Sequence, residues 1–144
     1  MVAALVEFVR PLAARQGSEV EATTDRTVPP MAIDRTLLRQ AILNLVKNGL
    51  EALGRGGKLT VSTRRVDDQV EIDISDTGPG IAPEVGKRLF EQFFTTKPQG
   101  TGLGLYISRQ IIEEQHGGTL RWQSAPGAGT TFTASLPIKR TEHD

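Results

Sequence analysis

The sequence predicts a two-layer α/β sandwich, in which helices cover one face of a mixed, mostly antiparallel β-sheet. Three observations support this fold class. An amphipathic helical pattern runs from Asp34 to Leu53, two alternating strand patterns follow it as a hairpin, and a second helical pattern precedes two final strands. Because strands and helices interleave without a regular strand–helix–strand repeat, we expect a mixed sheet with its helices on one side.

Composition limits the chain to one domain and disfavours several functions. Its 144 residues suit a single domain, and its 38% hydrophobic content can build a core. Lys plus Arg and Asp plus Glu both total 17, so no overall field favours nucleic acid or an anionic membrane as a partner. With no cysteine and two histidines, disulfides are excluded and zinc is not expected. No apolar run approaches the ~20 residues that cross a bilayer, so we expect a soluble segment without membrane contact.

A lead-in and one short strand precede the long helix. The first segment, Met1 to Gln16, is expected to form an extended or helical lead-in, and Gly17 follows it. Beyond them Val20 and Ala22 alternate as in a strand, and a pair of prolines interrupts the pattern. At the other end of the sequence, residues 139–144 are expected to be a disordered tail that includes His143.

The long helix has two chemically distinct faces. Asp34 is a good N-cap residue, and glycines follow Leu53, where the helix is expected to end. On a helical wheel, the core face carries Leu38, Ala41, Ile42, Leu45, Gly49, Ala52 and Leu53. The opposite stripe, with members three or four residues apart, carries Gln40, Asn44, Lys47, Asn48 and Glu51.

Two asparagines one turn apart are the unusual part of this stripe. A solvated helix face explains Lys47 and Glu51. Asn is a poor residue for the middle of a helix, so the pair Asn44 and Asn48 needs a reason. Neutral amide oxygens can complete the shell of Mg²⁺ together with phosphate oxygens and water, without adding charge that would repel a triphosphate.

The hairpin that follows directs an acid toward the interior. Its strands are expected at Lys58–Val66 and Gln69–Asp76, joined by a tight turn. Asp76 continues the inward parity of the apolar residues in the second strand, just before Gly78 and Gly80. Burying an unpartnered carboxylate costs several kcal/mol, so Asp76 needs donors. Either its own turn supplies them or a ligand such as adenine does, through its exocyclic amine.

Four further elements complete the sandwich. A short helix is expected near Pro83 to Phe90 and, after a loop, a longer helix from about Gly102 to His116. The last two strands are expected at Thr119–Ser124 and Thr130–Leu136.

Two residues of these elements have distinct expected roles. Thr130 shares the parity of the apolar residues in its strand, so its hydroxyl should point inward beside Asp76. His116 lies at a helix end before two glycines, where a C-capping imidazole is a commoner explanation than a catalytic one.

A glycine-rich turn, GTGLG at Gly100–Gly104, opens the second long helix. The N–H groups and positive dipole end of a helix start suit phosphate oxygens, although a single glycine cluster is weak evidence. Lys97 lies just upstream and could reach a terminal phosphate. Phe90, Phe93 and Phe94 suggest a hinged lid anchored by aromatic side chains, with core packing explaining at least one of them.

Together these motifs resemble the catalytic ATP-binding domain of two-component sensor histidine kinases, of the GHKL superfamily with the Bergerat fold. NLVKN at Asn44–Asn48 resembles the family's asparagine box, DTGPG at Asp76–Gly80 its first glycine box, FEQFF at Phe90–Phe94 its phenylalanine box, GTGLG its second glycine box and GAGT at Gly127–Thr130 its third. The resemblance runs from about Ser18 to Pro137.

The resemblance implies ATP and Mg²⁺ as cofactors and a role for each matching residue. Asn48 would bind Mg²⁺, Asn44 and Lys97 would assist phosphoryl transfer, and Asp76 would read adenine. Further residues expected at the ATP are Lys47, Gly78, Gly80, Ile81, Phe90, Thr95, Thr96, Gly100, Thr101, Gly102, Leu103, Gly104, Leu105 and Thr130.

The same resemblance implies partners outside this chain. Residues 1–17 would be a linker from a dimerisation domain, and residues 18–138 the catalytic domain. The family's phosphoacceptor histidine stands in a helical segment before an acid, a setting that neither His116 nor His143 has. The chain is therefore expected to be a fragment that phosphorylates a histidine of a separate dimerisation domain, with a response regulator as an indirect partner. Its expected location is the cytoplasm, whether or not the parent protein is membrane-anchored.

Other functions of the same fold stay open. The superfamily's ATP-hydrolysing members place a glutamate one turn before the metal-binding asparagine, where this chain has Asn44. An amide cannot take a proton from water at neutral pH, so phosphoryl transfer fits better than hydrolysis. A nucleotide-binding scaffold without catalysis, or a serine/threonine kinase of this fold, would keep the same nucleotide-binding residues.

Overall fold

The computed structural model describes residues 1–25, 27–29, 33–94 and 103–138. The helices are α1 (Val2–Arg15), α2 (Arg35–Leu53), α3 (Pro83–Gly86), α4 (Gly104–Arg109) and a π-helix (Gln110–Gln115). The strands are β1 (Glu19–Thr23), β2 (Lys58–Val66), β3 (Gln69–Asp76), β4 (Thr119–Ser124) and β5 (Thr130–Pro137).

The five strands form one mixed sheet in the order β1-β2-β3-β5-β4. β1 pairs with β2 in parallel, and the other three pairs are antiparallel. The predicted mixed, mostly antiparallel sheet is confirmed, as is the hairpin of β2 and β3. The register places Asp76 opposite Thr130, and Thr130 in turn opposite Ser124. The ends of three neighbouring strands therefore meet at one edge of the sandwich.

Helix α2 packs along the inner face of the sheet, and its boundaries match the prediction. Asp34 caps it, because its carboxylate accepts a hydrogen bond from the Leu37 N–H at 3.0 Å. The buried residues are Leu38, Ala41, Ile42, Leu45, Val46, Gly49 and Leu50. The prediction that Ala52 faces the core was wrong, since Ala52 is exposed. Val46 and Leu50 are buried instead because α2 packs against α1, α4 and the π-helix as well as the sheet.

The lead-in is helical and belongs to the core. Val2, Leu5, Val6, Val9 and Ala13 of α1 are buried in the same cluster as the inner face of the sheet. Pro11 lies on the exposed side of this helix. The assignment of residues 1–17 as an interdomain linker stays a prediction.

The helix expected from Gly102 to His116 differs from the prediction in its second half. Gly102 lies outside the described residues, α4 begins at Gly104, and from Gln110 onward the chain is a π-helix. The wider turn coincides with two contacts. The N–H of Gly118 donates to the Ile112 carbonyl at 2.9 Å, and the His116 ring bonds the Ile111 carbonyl.

The outer face of the sheet is polar and carries one buried acid. The Glu71 carboxylate accepts from Arg121 at 2.7 Å and from Ser135 at 3.0 Å, and it pairs with Arg64 at 2.6 Å. The hydrogen bond from Arg121, more than any other contact, holds the pKa of Glu71 below its usual range, against the opposing effect of burial.

Among the helices in the described part of the chain, none combines the length and the apolar character that a bilayer span requires.

Candidate functional site

The asparagine stripe of α2 lies beside the start of α4. Asn44 and Asn48 are half-buried, whereas Lys47 is exposed. The side-chain amide of Asn44 donates to the Gly104 carbonyl at 3.5 Å, a long contact. The buried Ser108 hydroxyl donates to the Ala41 carbonyl at 2.9 Å and holds the two helices together. The asparagine motif and the described end of the second glycine motif are therefore neighbours.

Asp76 ends β3 as a buried carboxylate, 6% exposed. Burial raises the pKa of Asp76, while hydrogen bonds from the backbone of Gly78 and Thr130 act in the opposite direction. The Gly78 N–H reaches the carboxylate at 2.9 Å. Among the described residues, no charged group contributes to this shift. The inward orientation predicted from strand parity is confirmed.

Gly78 brings the acid close to helix α2. A Cβ on Gly78 would lie 3.2 Å from the Ala52 carbonyl and 2.9 Å from the Asp76 carboxylate, so a side chain there would have to displace the carboxylate and crowd the helix backbone. Ala52 lies four residues after Asn48, one turn further along α2. The carboxylate and the asparagine pair therefore border the same region of the molecule.

The third glycine motif closes this region from the other side. A Cβ on Gly129 would collide with the Asp76 carbonyl, and Gly129 has a φ of 80°. Thr130 is buried, and its hydroxyl lies 2.9 Å from the Ser124 hydroxyl. The prediction that Thr130 points inward beside Asp76 is confirmed, and its role toward a ligand stays a prediction.

Sequence reasoning missed Ser124. Its hydroxyl accepts a hydrogen bond from the Ile81 N–H at 2.7 Å and donates to the Gly129 carbonyl at 3.0 Å. A serine at a strand end is too common to attract notice. The available signal was positional, since Ser124 shares the inward parity of Leu120 and ends its strand opposite Thr130.

The three phenylalanines have separate environments. Phe90 packs edge-on against Phe132, with ring centroids 6.2 Å apart and planes at 81°, so it is the one that core packing explains. The Arg88 guanidinium lies over the Phe94 ring at 4.6 Å. Phe93 is 67% exposed with a φ of 68°, a conformation uncommon for a bulky residue.

Several predicted ATP-contacting residues lie outside the described residues, namely Thr95, Thr96, Lys97, Gly100, Thr101 and Gly102. Of the described members of the same set, Ile81, Leu103 and Leu105 are half-buried, and Gly104 is exposed at the start of α4.

His116 serves the structure of the helix end. Its Nε2 accepts from the Asp34 N–H at 3.1 Å, so Nδ1 carries the proton and donates to the Ile111 carbonyl at 2.9 Å. This buried imidazole joins the end of the π-helix to the N-cap residue of α2. His143 lies outside the described residues.

The donor set suits a nucleotide with its own metal. In the described ranges, no cluster of three or more His, Cys, Asp or Glu side chains could hold a metal ion. The amides of Asn44 and Asn48 are neutral oxygen donors, the type that Mg²⁺ accepts when phosphates supply the charge.

Comparison with known proteins gives one consistent picture. The family described as histidine kinase-, DNA gyrase B-, and HSP90-like ATPase matches residues 33–140. The sensor histidine kinase ZraS of Escherichia coli strain K12 is 39% identical over 126 residues, which cover 88% of this chain and 27% of ZraS. The chain thus spans about a quarter of the length of this relative.

Two solved structures share the fold. The nucleotide-free catalytic domain of histidine kinase ThkA superposes with a TM-score of 0.86 at 32% identity, covering 95% of this chain and 90% of that domain. Full-length ShkA in complex with AMPPNP gives a TM-score of 0.88 at 28% identity, covering 97% of this chain and 30% of ShkA.

Proposed function

The chain belongs to the histidine kinase-, DNA gyrase B- and HSP90-like ATPase family, as an ATP-binding domain of the histidine kinase type, and from that premise we propose that it binds Mg-ATP and donates the γ-phosphate to a histidine of a separate dimerisation domain. In this proposal a response regulator is the downstream partner. The parent protein would then be a sensor kinase of a two-component system.

The single observation that carries the proposal is the buried carboxylate of Asp76. Its charge has no cationic neighbour among the described residues, and backbone N–H groups alone oppose its desolvation. A ligand that supplies a further N–H donor would offset this cost. The exocyclic amine of adenine is such a donor, whereas guanine has a carbonyl at the corresponding position and would place an acceptor against the acid.

The phosphates would extend from the base toward α2 and the start of α4. Asn48 would hold the Mg²⁺, and Asn44 would orient the phosphates from one turn earlier. The N–H groups in the first turn of α4, at Gly104 and Leu105, have no intrahelical acceptors and suit phosphate oxygens. Bound Mg²⁺ would supply charge neutralisation at the transferring phosphoryl group.

Transfer is favoured over hydrolysis because Asn44 is an amide. A general base for water must accept a proton, which an amide does not do at neutral pH. His116 does not serve as the acceptor, because both of its ring nitrogens are engaged within the fold. His143, the other histidine of the chain, lies outside the described residues. In this proposal the receiving histidine belongs to another domain.

The test mixes the purified chain with γ-labelled ATP and a separately purified histidine-bearing dimerisation domain of a sensor kinase. We expect label on the dimerisation domain that acid treatment removes as inorganic phosphate, because the P–N bond of a phosphohistidine is hydrolysed by acid. Saturable ATP binding without transfer would favour the scaffold, and acid-stable label would favour a serine/threonine kinase. The Asp76→Asn variant serves as the control that should transfer little label.

A further inference from the structure

We propose that Ser124 is a positioning residue that sets the purine selectivity of the nucleotide site, an inference that rests on the function proposed above. No motif of the family resemblance contains Ser124. Its hydroxyl nevertheless connects the end of β4 to two segments that border Asp76, through Ile81 at 2.7 Å in one, and Gly129 at 3.0 Å and Thr130 at 2.9 Å in the other.

The connection reinforces a close fit between two backbone segments. The Gly127 N–H donates to the Pro79 carbonyl at 2.7 Å, so the β4–β5 turn lies against the first glycine motif. A Cβ on Gly80 would collide with the Ala125 carbonyl. Beside this contact, the Ser124 hydroxyl accepts a hydrogen bond from the Ile81 N–H. It thereby fixes the backbone of Ile81 relative to the strand end that carries Thr130.

The number of hydrogen bonds that Ser124 can donate and accept determines where the Thr130 hydroxyl donates its hydrogen. A serine hydroxyl has one hydrogen and two lone pairs. The hydrogen goes to the Gly129 carbonyl, and one lone pair accepts the Ile81 N–H. The bond between Ser124 and Thr130 must therefore use the second lone pair of Ser124 and the hydrogen of Thr130.

The consequence is that Thr130 can only accept hydrogen bonds from a ligand. Thr130 is the register partner of Asp76, so the two residues present acceptors side by side. The two N–H bonds of the adenine amine can donate one to each of these acceptors, whereas the O6 carbonyl of guanine at the same position would place a further acceptor against them. Without Ser124, the Thr130 hydroxyl could rotate and donate to that carbonyl. Ser124 thus acts through Thr130 and never touches the base.

The test compares the affinities of Mg-ATP, Mg-GTP and adenosine by calorimetry for the wild type and Ser124→Ala. Ser124→Ala is expected to weaken the binding of Mg-ATP about tenfold, the usual effect of losing one neutral hydrogen bond. The binding of adenosine should weaken by the same factor, because the substitution lies at the adenine and not at the phosphates. The affinity for Mg-GTP should stay nearly unchanged, because the freed Thr130 hydroxyl can donate to the guanine carbonyl, so the ratio of ATP affinity to GTP affinity should narrow by about tenfold.

Ser75→Ala is the matched control. Ser75 and Thr131 form the same kind of cross-strand hydroxyl pair at 2.8 Å, one register step away on the outer face of the sheet. This variant should keep both the affinity and the ratio of the wild type.

Two results would overturn the proposal. One is an unchanged ATP-to-GTP affinity ratio in folded Ser124→Ala, whether or not both affinities fall, and the other is a narrowed ratio in Ser75→Ala. If Ser124→Ala does not fold, Ser124→Cys keeps the side-chain shape with a weaker hydrogen-bonding group and should narrow the ratio partly. Failure of the wild type to bind ATP would instead overturn the proposed function, and with it this inference.

Discussion

The buried charge of Asp76 lowers the stability of the nucleotide-free protein. The same charge would strengthen the binding of the proposed ligand. Burial raises the pKa of Asp76, so the fold favours the protonated carboxyl. The resulting stabilisation is fully present below the pKa that Asp76 has in the unfolded chain. That contribution is lost as the pH rises through the folded pKa. At neutral pH, Asp76 therefore destabilises the free fold, a cost typical of residues retained for binding.

Asp76→Asn separates these two effects. Asn can still accept the Gly78 N–H and cannot ionise, so we expect the free energy of unfolding at pH 7 to equal or exceed that of the wild type. The affinity for ATP should fall about 10- to 100-fold, since hydrogen bonds to charged groups contribute ~1.5–3 kcal/mol. Urea unfolding and calorimetry measure the two quantities. An ATP affinity that stays at the wild-type value would remove Asp76 from the site.

Asn48→Ala tests the metal ligand. We expect the enhancement of ATP binding by Mg²⁺ to disappear, so that affinity with Mg²⁺ falls about tenfold or more toward the value in EDTA. Gln40→Ala, which removes another amide of the same helical stripe two turns from Asn48, is the matched control. A variant lacking Asn48 that keeps its full Mg²⁺ dependence would place the metal elsewhere.

The orientation of a residue toward or away from the core was predictable where the two-residue period of a strand determines it. Asp76 and Thr130 follow a strict alternation, so their inward orientation could be read from their strands. Ala52 was misplaced because the wheel assumed one buried face, whereas α2 contacts neighbours on several sides. Ser124 was overlooked because its importance arises from the approach of Ile81 and Gly129, which are distant from each other in the sequence.

At the scale of the element, α2 is the platform for the asparagine pair and depends on its first turn. Asp34 contributes twice, since its carboxylate caps the Leu37 N–H and its own N–H is held by His116. The helix ends at Gly54, with a φ of 68°. Capping residues and glycines are local signals, which is why both boundaries of α2 could be predicted.

Asp34→Ala should lower the free energy of unfolding by ~1 kcal/mol, the usual effect of losing an N-cap side chain. Asp34→Asn retains an acceptor for the Leu37 N–H and should stay close to the wild type. Urea denaturation of the three proteins provides the comparison. Equal stabilities of Asp34→Ala and the wild type would mean that the observed cap contributes nothing in solution.

The π-helix shows what local signals cannot predict. Residues 110–115 have an ordinary helical pattern, and nothing in their composition requires a wider turn. The turn widens just before His116, whose ring accepts a hydrogen bond from the Asp34 N–H. A contact between residues 82 positions apart is tertiary information.

At the scale of the whole molecule, the outer face of the sheet contributes a pH-dependent part of the stability. The pKa of Glu71 is lowered, so its contribution is present above the unfolded pKa and is lost as the pH falls through the folded pKa. The free energy of unfolding should therefore decrease as the pH falls below about 4.5, the ordinary pKa of a glutamate.

Glu71→Gln should lower the free energy of unfolding at pH 7 by about 1–3 kcal/mol, because it leaves the Arg121 bond without its charge partner. The difference from the wild type should shrink as the pH falls. Glu21→Gln, which breaks an exposed ion pair with Lys58, is the control and should lower the free energy of unfolding by less than Glu71→Gln does. A Glu71→Gln difference that grows on acidification would contradict the assigned direction of the pKa.

The fold class was predictable as a whole because the helix and strand periods, the capping residues and the turns all indicated the same architecture. The sequence predicted by strand parity that Thr130 lies beside Asp76, and its motifs together indicated one nucleotide site. In the structure, the described parts of the first and third glycine motifs approach their neighbours closely at glycines, as at Gly78 against Ala52 and at Gly129 against Asp76. Such approaches depend on the sheet register and cannot be read from glycine content alone.

In the proposed function, a buried acid and a pair of helix amides bind one adenine nucleotide with its metal. A calorimetric titration of the purified chain with Mg-ATP and Mg-GTP is the decisive experiment. We expect saturable one-to-one binding of ATP and at least about tenfold weaker binding of GTP. Equal affinity for the two nucleotides, or no binding of ATP, would contradict the proposed function.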